Sequence, residues 1–212
     1  MCSQEDSQPS QGSVMTLVDE NRSEILYFAY GSNLSTAQMR QRCPYSTPIG
    51  LGYLAGWRWI INQRGFANIV PLEATEDEGS PAAEKRSLPG ETKAATTATA
   101  VPSDSAAAGK GVYGLLYLLP PQDEEKLDGY EGVPWAYQKM HADMRWVRDD
   151  MGREQDVAVR ALIYVDSERT GEAAPREEYI VRMEDGIEDA VRNWGLDEEY
   201  VNETMRRFLI RG

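Results

Sequence analysis

Histidine is almost absent from this sequence: His141 is the only one in 212 residues, and cysteine occurs twice, as Cys2 and Cys43. Metal centres of the common histidine-based kind, and Ser-His-Asp or Cys-His nucleophilic sets, need imidazoles or thiols that converge. A lone histidine, with no second histidine or nearby cysteine, anchors neither, and His141 reads as structural. No G-x-S-x-G elbow occurs. Two cysteines are too few for a disulfide framework, and Cys43, just before Pro44, reads as a packed thiol because no partner that would lower its pKa can be named. Basic residues are also in deficit. Lys and Arg number 22 against 35 Asp and Glu, a net charge of −13 that repels nucleic acid and anionic membrane alike and discounts both as partners. No apolar run approaches the length that spans a bilayer, and Met1 to Val14 carries no hydrophobic export core. The expected location is a reducing cytoplasm.

Apolar residues are plentiful, at 41% with 5 Trp and 11 Tyr, enough to build a core. Residues 1–23 are polar and aperiodic and read as a disordered leader. Residues 24–212 read as one domain, interrupted at about 73–110 by an Ala/Thr/Ser/Pro/Glu-rich stretch with almost no large apolar residues. Such a stretch cannot offset the entropy of ordering and reads as a disordered insertion. The run Ile25-Leu26-Tyr27-Phe28-Ala29-Tyr30 stops abruptly at Gly31, as a strand buried on both faces does. Leu51–Ile61, Ala67–Pro71, Val112–Leu119, Tyr137–Val147 and Val157–Val165 carry the β-branched and aromatic residues of further strands. One curved sheet or barrel is expected from them. Ser35 and Gln38 stand at capping-box spacing before a short helix Thr36–Arg42. Ile180, Met183, Ile187, Val191 and Trp194 recur at helical spacing and predict an amphipathic helix ended by Gly195. A second, shorter helix follows from Asp197 to Leu209, with Tyr200, Val201, Met205 and Phe208 inward.

Two local features could carry chemistry. Tyr30-Gly31-Ser32-Asn33-Leu34 is a tight turn between a strand and a helix. Glycine admits turns that other residues resist, and successive N–H groups at a helix start suit a carboxylate or a developing oxyanion; Gly-Ser-Asn is equally ordinary turn composition. The second is Leu127-Asp128-Gly129-Tyr130-Glu131-Gly132, ending a helical stretch that begins near Pro121. Glu131, between an aromatic residue and a glycine, is a candidate for partial desolvation and hence for proton transfer at neutral pH. An acidic residue in a turn is more often simply solvated.

Together these segments, with Leu26–Leu34, Gly111-Val112-Tyr113-Gly114, Gly65-Phe66-Ala67-Asn68-Ile69, Tyr137 and the helix Tyr179–Trp194 before Gly195-Leu196, resemble the γ-glutamylcyclotransferase family. The resemblance runs from about Ile25 to Leu209 and departs from the family in the insertion, the leader and Val133-Pro134-Trp135-Ala136. It implies an α+β fold, a mixed β-barrel flanked by helices, and a reaction with neither metal nor cofactor. On this likeness Glu131 is the catalytic acid/base, the backbone of Tyr30, Gly31, Ser32, Asn33 and Leu34 holds the γ-glutamyl group, and Tyr137 lines the pocket. The implied enzyme is a lyase that releases 5-oxoproline and a free amine from a small γ-glutamyl substrate, a γ-glutamyl amino acid or glutathione and its conjugates. Alternatives are a cyclotransferase acting on γ-glutamyl or glutathione adducts of a secondary metabolite, and a binding module on the same fold that has lost turnover. The preferred leaving group and the oligomeric state, homodimer included, are left open.

Overall fold

The computed structural model describes residues 24–72 and 111–210. The expected leader and insertion lie outside these residues.

The run after Ser23 forms strand β1 (Ile25–Ala29). Its apolar residues are accommodated because both neighbours are strands: β5 (Gly111–Leu119) antiparallel, with Tyr27 opposite Tyr117, and β7 (Glu154–Val165) parallel, with Tyr27 opposite Leu162. The parallel pairing closes a five-stranded barrel in which β2 (Thr47–Ala55) and β6 (Gln138–Asp149) complete the order β1-β5-β2-β6-β7. The long β6 (Gln138–Asp149) and β7 form an antiparallel hairpin. The α+β expectation of a mixed barrel with helices outside it describes the molecule.

The expected strand Leu51–Ile61 is two strands in two sheets. Strand β2 (Thr47–Ala55) lies between β5 and β6 in the barrel, while β3 (Trp57–Ile61) pairs with β4 (Ala67–Pro71) in a separate two-stranded sheet. Gly56 takes φ +77 at the break, a left-handed conformation that side chains resist. Strand β2 also starts earlier than expected, because Pro48 sits at a register shift against β5, one of the few strand positions that tolerate proline.

Helix α1 (Thr36–Arg42) is capped by the Ser35 side chain, which accepts from Gln38 N–H. Gln38 does not complete the reciprocal capping box; its side-chain amide donates instead to Ser32 Oγ and Asn33 Oδ1. Helix α2 (Pro121–Glu131) begins with proline in its first turn, where no amide is needed, and stops at Gly132 with φ +67. Helix α3 (Glu177–Trp194) packs against the 3-10 turn Ser32–Leu34. Its deepest stripe is Tyr179, Met183, Gly186, Ile187 and Ala190, whereas Ile180, Val191 and Trp194 of the expected stripe are only half-buried. A Cβ at position 186 would stand 3.2 Å from Leu34 Cβ and 3.3 Å from Ser32 O, so this glycine permits the close approach of helix and turn. The C-terminal segment comprises α4 (Glu198–Tyr200), a π-helical stretch Val201–Arg206 and α5 (Arg207–Leu209), with Val201, Met205 and Leu209 buried. Among the described residues no helix is long and apolar enough to cross a membrane.

Candidate active site

A cavity of about 170 Å³ opens where the C-terminal end of β1 meets the last turn of α2, the β3–β4 connection and the first turns of α3. Of the residues singled out from the sequence, Tyr30, Gly31, Ser32, Asn33, Glu131 and Tyr137 all line it. Leu34 does not. It is fully buried in the hydrophobic core, and its N–H is taken by Gly31 O at 2.9 Å in the 3-10 turn. The turn needs Ser32 and Asn33 at the surface of the cavity, and a short helical turn then carries Leu34 into the core.

Among the described residues Glu131 is the only carboxylate in the cavity wall, and the turn reaches it through a side chain. Asn33 Nδ2 donates to Glu131 Oε1 at 2.9 Å and to Tyr27 Oη at 3.0 Å. The amide is oriented from behind, because Asn33 Oδ1 accepts from Gln38 Nε2 at 2.9 Å and Arg42 Nη1 at 3.0 Å. A flipped amide would lose the bonds that Asn33 Oδ1 accepts from Gln38 and Arg42, so this network defines which end faces Glu131. Burial pushes the Glu131 carboxyl above its ordinary pKa, while Arg42, the Asn33 bond, Arg182 and Arg64 pull it down. Its position in the last turn of α2, at the negative end of the helix dipole, acts in the same direction as burial.

Tyrosines form most of the remaining wall, and several have committed hydroxyls. Tyr30 Oη donates to Tyr164 O, Tyr137 Oη to Ala67 O at 2.7 Å, and Tyr164 Oη to Asp128 Oδ1 at 2.6 Å. Tyr30 and Tyr137 thus brace the barrel and β4 with their protons and offer mainly ring surface to a ligand. Burial raises the pKa of Tyr27, Tyr30 and Tyr137, and that of Tyr179 to about 12. These phenols stay protonated at neutral pH, which leaves Glu131 as the wall's candidate proton acceptor.

Gly31 is not required for its backbone angle, contrary to the expectation for this turn. Its φ is −113, and the constraint is space: a Cβ there would lie 3.0 Å from Tyr179 Oη and 3.3 Å from Ala67 Cβ. The N–H of Ser32 points to Tyr179 Oη at a long 3.3 Å, a weak bond.

Sequence reasoning missed the arginines. Arg42 from the end of α1, Arg64 from the β3–β4 connection and Arg182 from α3 all line the cavity, giving three positive groups against one carboxylate in a chain of net charge −13. Arg182 lies one helical turn after Tyr179, a spacing that could have paired them as one face, but nothing local marks Arg42 or Arg64 as neighbours of Glu131. Cys43 is buried, its thiol donating to Asp123 O at 3.4 Å, and burial pushes its pKa to about 12, as suits a packed thiol. His141 is exposed on β6 and outside the cavity. Among the described residues no cluster of three or more His, Cys, Asp or Glu could hold a metal ion.

No family model and no curated protein sequence matches the chain. Solved structures do. One described as a γ-glutamyl cyclotransferase aligns with a TM-score of 0.54 at 19% identity, covering 85% of each chain. A Homo sapiens protein described as uncharacterised aligns with a TM-score of 0.56 at 19% identity over 86% of each. YkqA from Bacillus subtilis aligns with a TM-score of 0.55 at 19% identity, over 88% of this chain and 55% of its own. With the closed barrel, the flanking helices and the β1 turn all in place, the chain has the γ-glutamylcyclotransferase-like fold.

Proposed function

We propose that the protein is a γ-glutamylcyclotransferase that converts a small γ-glutamyl compound into 5-oxoproline and a free amine. The observation that carries this reading is the Glu131 carboxyl, held by Asn33 at 2.9 Å in the wall of a cavity shared with Gly31 and Ser32. A γ-glutamyl amide contains its own nucleophile: the α-amine reaches the γ-carbonyl by closing a five-membered ring. The protein therefore supplies no nucleophile and needs only to hold the substrate folded back on itself.

Glu131 takes a proton from the α-ammonium, freeing the lone pair that attacks the γ-carbonyl carbon. The new C–N bond closes the lactam, the old γ-amide C–N bond breaks as the departing nitrogen receives the proton that Glu131 holds, and the second proton shed by the ring nitrogen ends on the freed amine, which leaves as an ammonium. The raised pKa of Glu131 suits both halves, because a carboxyl too acidic would accept the first proton poorly. The neutral tyrosines limit water around the reacting atoms. The cavity is smaller than the roughly 300–1,000 Å³ usual for drug-sized ligands, so it suits the glutamyl half with the leaving group towards its mouth. Of the turn amides, the Ser32 N–H is held only by its long bond to Tyr179 Oη at 3.3 Å and is the donor that would turn to the substrate carboxylate or the oxyanion.

The test is to incubate the protein with γ-glutamyl-alanine and with glutathione and to quantify 5-oxoproline against free glutamate. Cyclisation gives 5-oxoproline, and Glu131→Gln, which keeps size but not titration, loses at least about 10²-fold in kcat. Release of glutamate in place of 5-oxoproline, or equal rates for the two proteins, would remove the assignment. A binding module on the same fold predicts ligand affinity and no turnover in either protein.

A further inference from the structure

Three guanidinium groups face one carboxylate in the cavity, and they are not equally employed. Arg42 donates to Asn33 Oδ1 at 3.0 Å and lies over the Tyr130 ring at 4.9 Å. Arg182 lies over the Tyr179 ring at 5.1 Å. Arg64 lies near two rings, 5.5 Å from the Phe66 centroid and 5.4 Å from that of Tyr137. Its Nη1 is buried and has no hydrogen-bond partner, and no carboxylate of the described residues forms an ion pair with it. A buried guanidinium nitrogen without an acceptor is costly and rare.

The backbone that carries Arg64 is held rigidly. Its N–H donates to Asn62 Oδ1 at 3.0 Å, its carbonyl accepts from Arg176 Nε at 2.9 Å, and the turn is closed by Gly65 N–H to Asn62 O at 2.8 Å and Asn62 N–H to Phe66 O at 2.9 Å. Asn62 is itself tied to buried Asp166 at 2.9 Å. The chain thus holds the backbone of a half-buried arginine, one nitrogen of its planar fork shielded from water, beside the cavity before any ligand arrives, which lowers the ordering cost of binding an anion.

We infer that Arg64 is a specificity-determining residue that binds a carboxylate carried by the departing amine, so that the preferred substrates are γ-glutamyl amino acids and peptides and not γ-glutamyl amines. The inference rests on the cyclotransferase reading and sharpens it. A γ-glutamyl amine has one carboxylate and one ammonium and leaves the excess positive charge of the cavity unmatched. A γ-glutamyl amino acid adds a second carboxylate. The turn amides and Arg182 can serve the first carboxylate, Arg42 is occupied by Asn33, and Arg64 retains the free fork for the second.

The matched pair γ-glutamyl-alanine and γ-glutamyl-ethylamine differs only in that carboxylate. For the wild type, kcat/KM should favour γ-glutamyl-alanine by roughly 10- to 100-fold, the range of a charge-assisted hydrogen bond. Arg64→Gln should collapse the ratio towards one, through KM and not kcat, and Arg64→Lys should restore part of it, since the charge is kept and the planar fork lost. Thermal unfolding of each variant reports whether the two ring contacts were merely structural. Turnover of both compounds by the wild type at equal efficiency overturns the inference and spares the cyclotransferase reading. So does an Arg64→Gln defect equal for the two substrates, which would put Arg64 on the glutamyl half or in the scaffold. Failure of the wild type to form 5-oxoproline from either compound sinks both.

Discussion

Asn33→Ala is the perturbation that most directly probes how the fold prepares Glu131. The side chain makes four hydrogen bonds, to Glu131 and Tyr27 through its nitrogen and from Gln38 and Arg42 through its oxygen, all between 2.9 and 3.0 Å. Two partners are charged, where each bond contributes about 1.5–3 kcal/mol, and two are neutral, at about 0.5–1.5 kcal/mol. Gln38 keeps its bond to Ser32 Oγ, and water entering from the cavity mouth recovers part of the rest. A net loss of about 2–4 kcal/mol follows, which for a domain of this size lowers the unfolding midpoint by roughly 5–15 °C. The chemical consequence has a definite sign. Asn33 is one of the groups holding the Glu131 pKa down against burial, so its removal raises that pKa further. Activity that needs the ionised carboxylate is lost as pH falls through this pKa, and the acidic limb of kcat/KM against pH therefore moves to higher pH. The assay is 5-oxoproline formation from γ-glutamyl-alanine across about pH 5–9, with calorimetric unfolding at neutral pH. A stability loss of the expected size with the limb unmoved, or moved to lower pH, would refute the reasoning that couples this amide to the carboxyl.

Glu131→Gln should stabilise the fold progressively as pH rises. The folded-state pKa lies above the ordinary value of 4.5, so the ionised form costs stability once pH exceeds that value, and the variant escapes the cost; a midpoint difference between variant and wild type that stays constant from about pH 4 to 8 would contradict this. Gly31→Ala places a methyl 3.0 Å from Tyr179 Oη and should raise KM, with recovery in the double variant Gly31→Ala/Tyr179→Phe; no recovery means that the steric account is wrong. Leu34→Ala, a cavity in the core and not in the site, should cost about 2–5 kcal/mol and leave kcat and KM of the folded protein near wild type. Cys43, its thiol pushed to about 12, should resist alkylation in the native protein at about pH 8, as read by peptide mapping, and react after denaturation.

The elements legible in the sequence were those whose signal is local. The apolar run of β1, the Ser35 cap of α1, the proline and glycine that bracket α2, and the period of α3 each depend on neighbours within a few residues. Where local pattern misleads, a long-range contact is responsible. Leu51–Ile61 reads as a single β-rich run, yet Gly56 divides it because Trp57–Ile61 has its partner in β4, outside the barrel. Leu34 belongs to a motif whose other members line the cavity, yet the approach of α3 at Gly186 encloses it in core.

The order of residue types along the chain made Glu131 and the Tyr30–Asn33 turn candidates, because a strand stop, a helix start and a helix stop are written in adjacent residues, and the family resemblance of the two segments together gave them their expected roles. Tertiary structure alone decided that these two segments, 98 positions apart at Asn33 and Glu131, share a hydrogen bond. It also decided that Arg42, Arg64 and Arg182 surround that carboxyl. Charge carries no local signature of its partner: an arginine on a turn reads the same whether it faces water or a cavity, and only the closing of the barrel and the docking of α3 determine which.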